Sequence, residues 1–185
     1  MPRDDIAQKD TTRDHRVGHE AQVLVELLVK RDITIAAAES LTGGGVSAAI
    51  TSVAGASGCF RGGIVSYATD LKATLLGVDT DLLRIRGPVD PRVAWQMARG
   101  VASRCAATVG VSTTGVAGPS SQGGVPVGTV FISVHDGRDG SDHGRALNLS
   151  GTRQQIRLQT VLEVLSLAVW VVSRDVGSAR RPLRE

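Results

Sequence analysis

Aromatic side chains are scarce in this 185-residue chain: two Trp, two Phe and one Tyr. So few rings exclude a stacking platform for single-stranded nucleic acid. Cysteine is rarer still. Cys59 and Cys105 stand far apart with no CxxC spacing, which gives no support to a zinc site and fits reduced thiols in the cytoplasm. The four histidines (His15, His19, His135 and His143) form no HExxH pattern, so no metal or other cofactor is expected. A spanning segment is also missing. The apolar run Val161 to Val172 is broken by Glu163 and Ser166 and is too short to cross a bilayer. The highly charged first twenty residues lack the apolar centre of a signal peptide. A soluble, cytoplasmic protein without a membrane partner is the expectation.

Basic charge is present but dispersed. The formal net charge is +3, and the nearest approach to a patch is Arg174, Arg180, Arg181 and Arg184 in the tail. A short arginine-bearing end is ordinarily solvated, so no nucleic-acid partner is expected. Hydrophobic content of 42% over this length suits one globular domain. Residues 1–18 mix charged and polar types without periodicity and read as a mobile leader. A domain over 19–174 and a flexible tail over 175–185 complete the division.

Within the domain, Ala21 to Lys30 reads as a helix and Ile33 to Ala38 as a strand buried on both faces. A helix over about 45–53, a strand over Gly63–Tyr67 and a helix over Thr69–Leu76 follow, with Thr69 as N-cap and Gly77 as terminator. Asp90-Pro91 opens an amphipathic helix over 91–104. Strands over Thr108–Thr113 and Val127–His135, a turn at Asp136–Gly140 and a return strand over Arg145–Leu149 come next. Thr152 and Gln155 fit a capping box for a long apolar helix to about residue 173. The pattern predicts a single three-layer α/β/α domain with a mixed, mostly parallel sheet, a C-terminal hairpin and a long closing helix.

The most informative local feature is the passage from strand into Ser40-Leu-Thr-Gly-Gly-Gly45 and then helix. It sets a hydroxyl at a strand-to-helix corner where glycines permit a tight turn and close approach of a ligand. In α/β sheets ligands gather at strand carboxyl ends, where Ser40, Tyr67 and Thr114 all stand. Lys72 is the only lysine beyond residue 30 and lies five residues from the only tyrosine. A lysine amine can be tuned to act as a base, which arginine cannot. Near a positive helix end and partly buried, it would lean toward the neutral form that activates a serine. The competing reading makes Ser40 or Thr42 a helix cap and Lys72 a solvated surface residue.

Four separated motifs carry a resemblance. Ala38-Glu-Ser-Leu-Thr-Gly-Gly44, Phe60-Arg-Gly-Gly-Ile-Val-Ser-Tyr67 with Lys72, Thr114-Gly-Val-Ala-Gly-Pro119 and Pro126-Val-Gly-Thr-Val130 occur in order across about residues 20–173. Together they resemble the CinA C-terminal domain family of nicotinamide-nucleotide amidohydrolases, here in the stand-alone form. The resemblance implies deamidation of nicotinamide mononucleotide to nicotinate mononucleotide and ammonia, a salvage step. It makes Ser40 the nucleophile, Lys72 its base and Tyr67 a site hydroxyl, with Thr42, Gly43, Gly44, Thr114 and Gly115 shaping the substrate pocket. Amides of the glycine corner would hold the oxyanion, and Arg145, Arg153 and Arg157 are candidates for the substrate phosphate. The chain departs from the family pattern at Gly87-Pro-Val-Asp90, Ser120-Ser-Gln122 and Gly151-Thr-Arg153. The alternative is a non-catalytic nucleotide-binding or regulatory module of the same fold. The expected partner is a small nucleotide, and a homo-oligomer, dimer or higher, is expected.

Overall fold

Every residue of β1 (Ile35–Glu39) is buried, and its side chains point alternately to opposite faces. Ile35 and Ala37 join one apolar cluster, while Ala36 and Ala38 join another. A strand buried in this way needs helices on both sides. The computed structural model, which describes residues 3–176, shows that arrangement.

The sheet order is β2 (Phe60–Val65), β1, β3 (Val109–Gly115), β4 (Thr129–Asp136), β5 (Ser141–Asn148). β1 runs parallel to β2 and β3, and β4 runs antiparallel to both its neighbours. The sheet is therefore mixed, with only β4 reversed. α1 (Arg3–Lys30), α2 (Gly45–Thr51) and α6 (Arg153–Ser173) cover the face of the Ile35 cluster. α3 (Thr69–Leu76), α4 (Thr80–Arg86) and α5 (Pro91–Arg104) cover the other. The expected three-layer α/β/α architecture is present.

The local signals act as chemistry dictates at both long helices. Asp90 accepts from the Arg92 N–H at 2.8 Å, with Pro91 in the first turn of α5. Thr152 and Gln155 form a reciprocal capping box on α6. At the far end of α6, Arg138 of the hairpin donates to the Val171 carbonyl at 2.8 Å and pairs with buried Asp136 at 2.7 Å. Among the described residues α6 is the one helix long and apolar enough to cross a membrane. Here its Ile156, Leu162, Leu165 and Val172 are buried in the core instead.

Four expectations are corrected. The leader over 1–18 is helical from Arg3, because α1 continues upstream of the apolar stretch that marked it. The N-cap of α3 is Ala68, in extended conformation, and the Thr69 hydroxyl caps nothing. α4 was not foreseen; its seven residues are too few to display a helical period, and its signal is the Asp79 carboxylate accepting from Asp81 and Leu82. β5 begins at Ser141 rather than Arg145, because pairing with β4 imposes extended backbone on a segment of weak strand propensity. The tail assigned to 175–185 lies beyond the described residues from 177 onward.

A glycine inside α5 fixes where α3 sits. A Cβ on Gly100 would stand 1.9 Å from the Leu76 carbonyl oxygen, at the end of α3. Gly100→Ala is expected to destabilise the protein by about 1–3 kcal/mol, the usual scale of overpacking, as read from urea unfolding.

Candidate active site

Beyond β1 the alternation of faces continues. Glu39 turns toward α2 and Ser40 toward α3. The tip of β1 is held by its neighbours: Ser40 N–H donates to the Thr113 carbonyl at 3.0 Å, and Ser66 N–H to the Glu39 carbonyl at 2.9 Å.

Ser40 meets Lys72 there. The Lys72 Nζ donates to Ser40 Oγ at 3.1 Å and to the Ser66 carbonyl at 2.6 Å. Lys72 is only 1% exposed, and no carboxylate pairs with it among the described residues. Burial lowers its amine from the ordinary 10.5 to about 8. The cause is loss of water on burial, the part of the expected environment that the structure supplies.

The two groups lie in a partly enclosed cleft of about 110 Å³. Its apolar walls include Pro88, Val89, Val116 and Ala117, and Thr114 and Gly115 contribute from the end of β3. Thr114 is pinned by donating to the Pro88 carbonyl at 2.6 Å. Gly115 packs so closely that a Cβ would lie 2.7 Å from the Thr129 carbonyl oxygen. Ser120 and Gln122 also line it, so all three departures from the family pattern reach the cleft, the others through Pro88 and Val89 and through Arg153. Among the described residues no acidic side chain lines the cleft, and its cations are Lys72 and Arg153.

Tyr67 lines the cleft but belongs to its rim. It is 57% exposed, and its hydroxyl accepts from Arg153 at 2.7 Å rather than bonding Lys72 or Ser40. Arg153 also donates to the Gly118 carbonyl at 2.6 Å, bridging the two sides of the mouth. Arg145 is not in the site: it lies on edge strand β5 and pairs with Glu163 at 3.5 Å. Sequence gave it equal standing with Arg153, because only the sheet order separates them.

The glycine corner is corrected most. Gly43 and Gly44 adopt positive φ (58° and 96°), which is why glycine stands there. The N–H groups of the three glycines, Val46 and Ser47 are filled from within the chain. The Glu39 carboxylate accepts from Gly44 N–H at 3.0 Å, Val46 N–H at 3.0 Å, Ser47 N–H at 2.8 Å and the Ser47 hydroxyl at 2.7 Å. Thr42 is 1% exposed and hydrogen-bonds Thr113 side chain to side chain at 2.8 Å. Thr42, Gly43 and Gly44 therefore support the turn and do not line the cleft. Arg157 completes the support from α6, donating to the Leu41 carbonyl at 2.9 Å and the Thr42 carbonyl at 2.7 Å. Glu39 was the functional residue the sequence reading missed. A carboxylate ending an otherwise apolar strand, just before a glycine turn, was the available signal.

A three-layer α/β domain with a serine at a strand end and a desolvated helix amine against it is the class that fold and cleft define. Within that class, the chain belongs to the CinA C-terminal domain family, which matches residues 18–171. It is 51% identical over 145 residues to a CinA-like protein of Frankia casuarinae, covering 78% of this chain and 33% of that one. To a CinA-like protein of Chlorobium limicola it is 40% identical over 174 residues, covering 92% and 39%. The chain thus spans little more than a third of the length of these curated relatives. The crystal structure of the competence/damage inducible protein CihA from Agrobacterium tumefaciens superposes with a TM-score of 0.82 at 31% identity. That match covers 86% of this chain and 96% of the other.

Burying a charge at Lys72 has a cost that depends on pH. Its folded-state pKa lies below the unfolded value, so the folded chain resists protonation. The cost is full below about pH 8 and disappears as pH rises to about 10.5. Lys72→Met is expected to stabilise the fold by up to about 3 kcal/mol at pH 7, and the gain should fade by pH 10.5. Urea unfolding of both proteins across that range checks it.

Proposed function

We propose that the chain is an amidohydrolase that deamidates nicotinamide mononucleotide by a Ser–Lys mechanism. The observation that carries this reading is the buried, uncompensated Lys72 amine 3.1 Å from Ser40 Oγ inside a cleft. Family membership supports the reaction class, and the cleft chemistry supports the substrate.

A pyridine ring suits the apolar walls of Pro88, Val89 and Val116. A phosphate suits Arg153, whose five N–H donors exceed the two acceptors it holds. In the reaction the neutral Lys72 amine takes the Ser40 proton as Oγ attacks the carboxamide carbon, and the carbonyl electron pair moves to oxygen. Collapse breaks the C–N bond while the Lys72 ammonium protonates the departing nitrogen, which leaves as ammonia. Water, deprotonated by Lys72, then cleaves the acyl-serine to carboxylate and restores Ser40. With a pKa of about 8, roughly a tenth of the amine is neutral at pH 7, far more than for free lysine. Tyr67 acts through Arg153, orienting the guanidinium at the cleft mouth. The competing reading, a nucleotide-binding module without turnover, draws on Ser120 and Gln122 in the mouth.

Incubating purified protein with nicotinamide mononucleotide and measuring ammonia tests the proposal. Turnover is expected, and saturable nucleotide binding without ammonia would establish the binding module instead. Ser40→Ala and Lys72→Ala should each lower kcat at least about 10³-fold. Lys72→Arg should be equally inactive, because its charge cannot be shed. The rate should rise with pH through a midpoint near 8; a midpoint near 10.5 would show that Lys72 works in water-exposed form.

A further inference from the structure

An oxyanion needs a donor beside the reacting carbon, and the turn after Ser40 can be followed one N–H at a time. Ser40 N–H donates to Thr113, Gly43 N–H to the Ser40 carbonyl at 3.1 Å and Gly45 N–H to the Thr42 carbonyl at 3.2 Å. The N–H groups of Gly44, Val46 and Ser47 all end on Glu39. Among the described residues, only Leu41 and Thr42 keep a main-chain N–H without an acceptor between positions 40 and 47. Leu41 lines the cleft and Thr42 does not. The Leu41 side chain belongs to the core cluster on the α6 face, opposite to Ser40, so its main chain is what meets the cleft.

We infer that the Leu41 N–H is the oxyanion donor for acyl transfer at Ser40, and that Glu39 and Arg157 are positioning residues that keep it free and aimed. The inference rests on Ser40 being the nucleophile, as proposed above. Its physical basis is a clamp of opposite charges. The Glu39 carboxylate gathers the N–H groups that open α2, so neither they nor a competing anion disturbs the turn. The Arg157 guanidinium gathers the two carbonyls that follow Ser40. The peptide plane carrying the Leu41 N–H has its own carbonyl, that of Ser40, tied to Gly43. The next plane has its carbonyl tied to Arg157. Neither plane flips without breaking a bond, so the donor is set before substrate arrives, the condition under which such donors are most effective.

Replacing Leu41 in the full chain by its α-hydroxy acid analogue converts that amide to an ester, which removes the N–H and weakens the Ser40 carbonyl as acceptor for Gly43 N–H. The same exchange at Gly43, which loses that hydrogen bond but keeps the Leu41 N–H, is the control and should acylate at close to the unaltered rate. The readout is acetylation of Ser40 by p-nitrophenyl acetate, located by mass. Ser40 Oγ bonds to the acetyl carbon, its proton passes to Lys72, and the electron pair returning from the oxyanion expels p-nitrophenolate. The acylation rate is expected to fall about 10²-fold or more. An unchanged rate in a folded ester protein would overturn the assignment of Leu41. Arg157→Met should slow acylation while leaving the midpoint near pH 8 in place, with partial recovery in Arg157→Lys. A moved midpoint would overturn the positioning role and put Arg157 on Lys72 instead. No acetylation of Ser40 in the unaltered chain would overturn both this inference and the nucleophile. Acetylation without ammonia from nicotinamide mononucleotide would support this inference and remove only the proposed substrate.

Discussion

Sealing one amine away from water is the constraint on which the site turns. Among the described residues Lys72 has no carboxylate to balance it, only the Ser66 carbonyl and the Ser40 hydroxyl. In water such an amine would stay protonated and inert as a base. Inside the α3 layer it is held to about 8, close enough to neutrality to exchange a proton. The fold provides that enclosure through ordinary packing: small alanines in β1, a glycine in α5 that lets α3 approach, and apolar residues around them.

A second pair of charges does a different task. Glu39 and Arg157 hold different parts of one turn, Glu39 the N–H groups of Gly44, Val46 and Ser47, Arg157 the carbonyls of Leu41 and Thr42. Strand alternation explains how neighbours can divide labour so sharply. Glu39 and Ser40 are adjacent in sequence, and the pleat sends one to the α2 side and the other to the α3 side. One builds the corner and the other uses it.

Much of this was legible in the sequence because it depends on short-range chemistry. The Asp90-Pro91 start, the Thr152–Gln155 box and the glycines at 43 and 44 each act within a few residues, and each is where its pattern put it. The layer architecture followed from the order of periodic segments. What escaped was set by distance in space. Arg145, Arg153 and Arg157 look alike along the chain, and only the position of β5 at the sheet edge and the phase of α6 assign them different surroundings. The strand expected over Gly63–Tyr67 ends at Val65, which leaves Tyr67 two residues beyond it, and nothing local reveals that its hydroxyl faces an arginine 86 residues away. The glycine corner misled for a related reason. Its N–H groups looked vacant because their acceptor, Glu39, was read as the end of a strand and not as a ligand for the next helix.

α6 enters the fold last along the chain, and it brings both Arg153 and Arg157 one turn apart on a single face. During synthesis the serine, the lysine and the strands that carry them all emerge before either arginine does. A nascent domain lacking that helix would hold Ser40 and Lys72 without the guanidinium that ties the Leu41 and Thr42 carbonyls. Assembly of the clamp is thereby coupled to completion of the hydrophobic layer, so order at the cleft and closure of the core arrive in the same folding event.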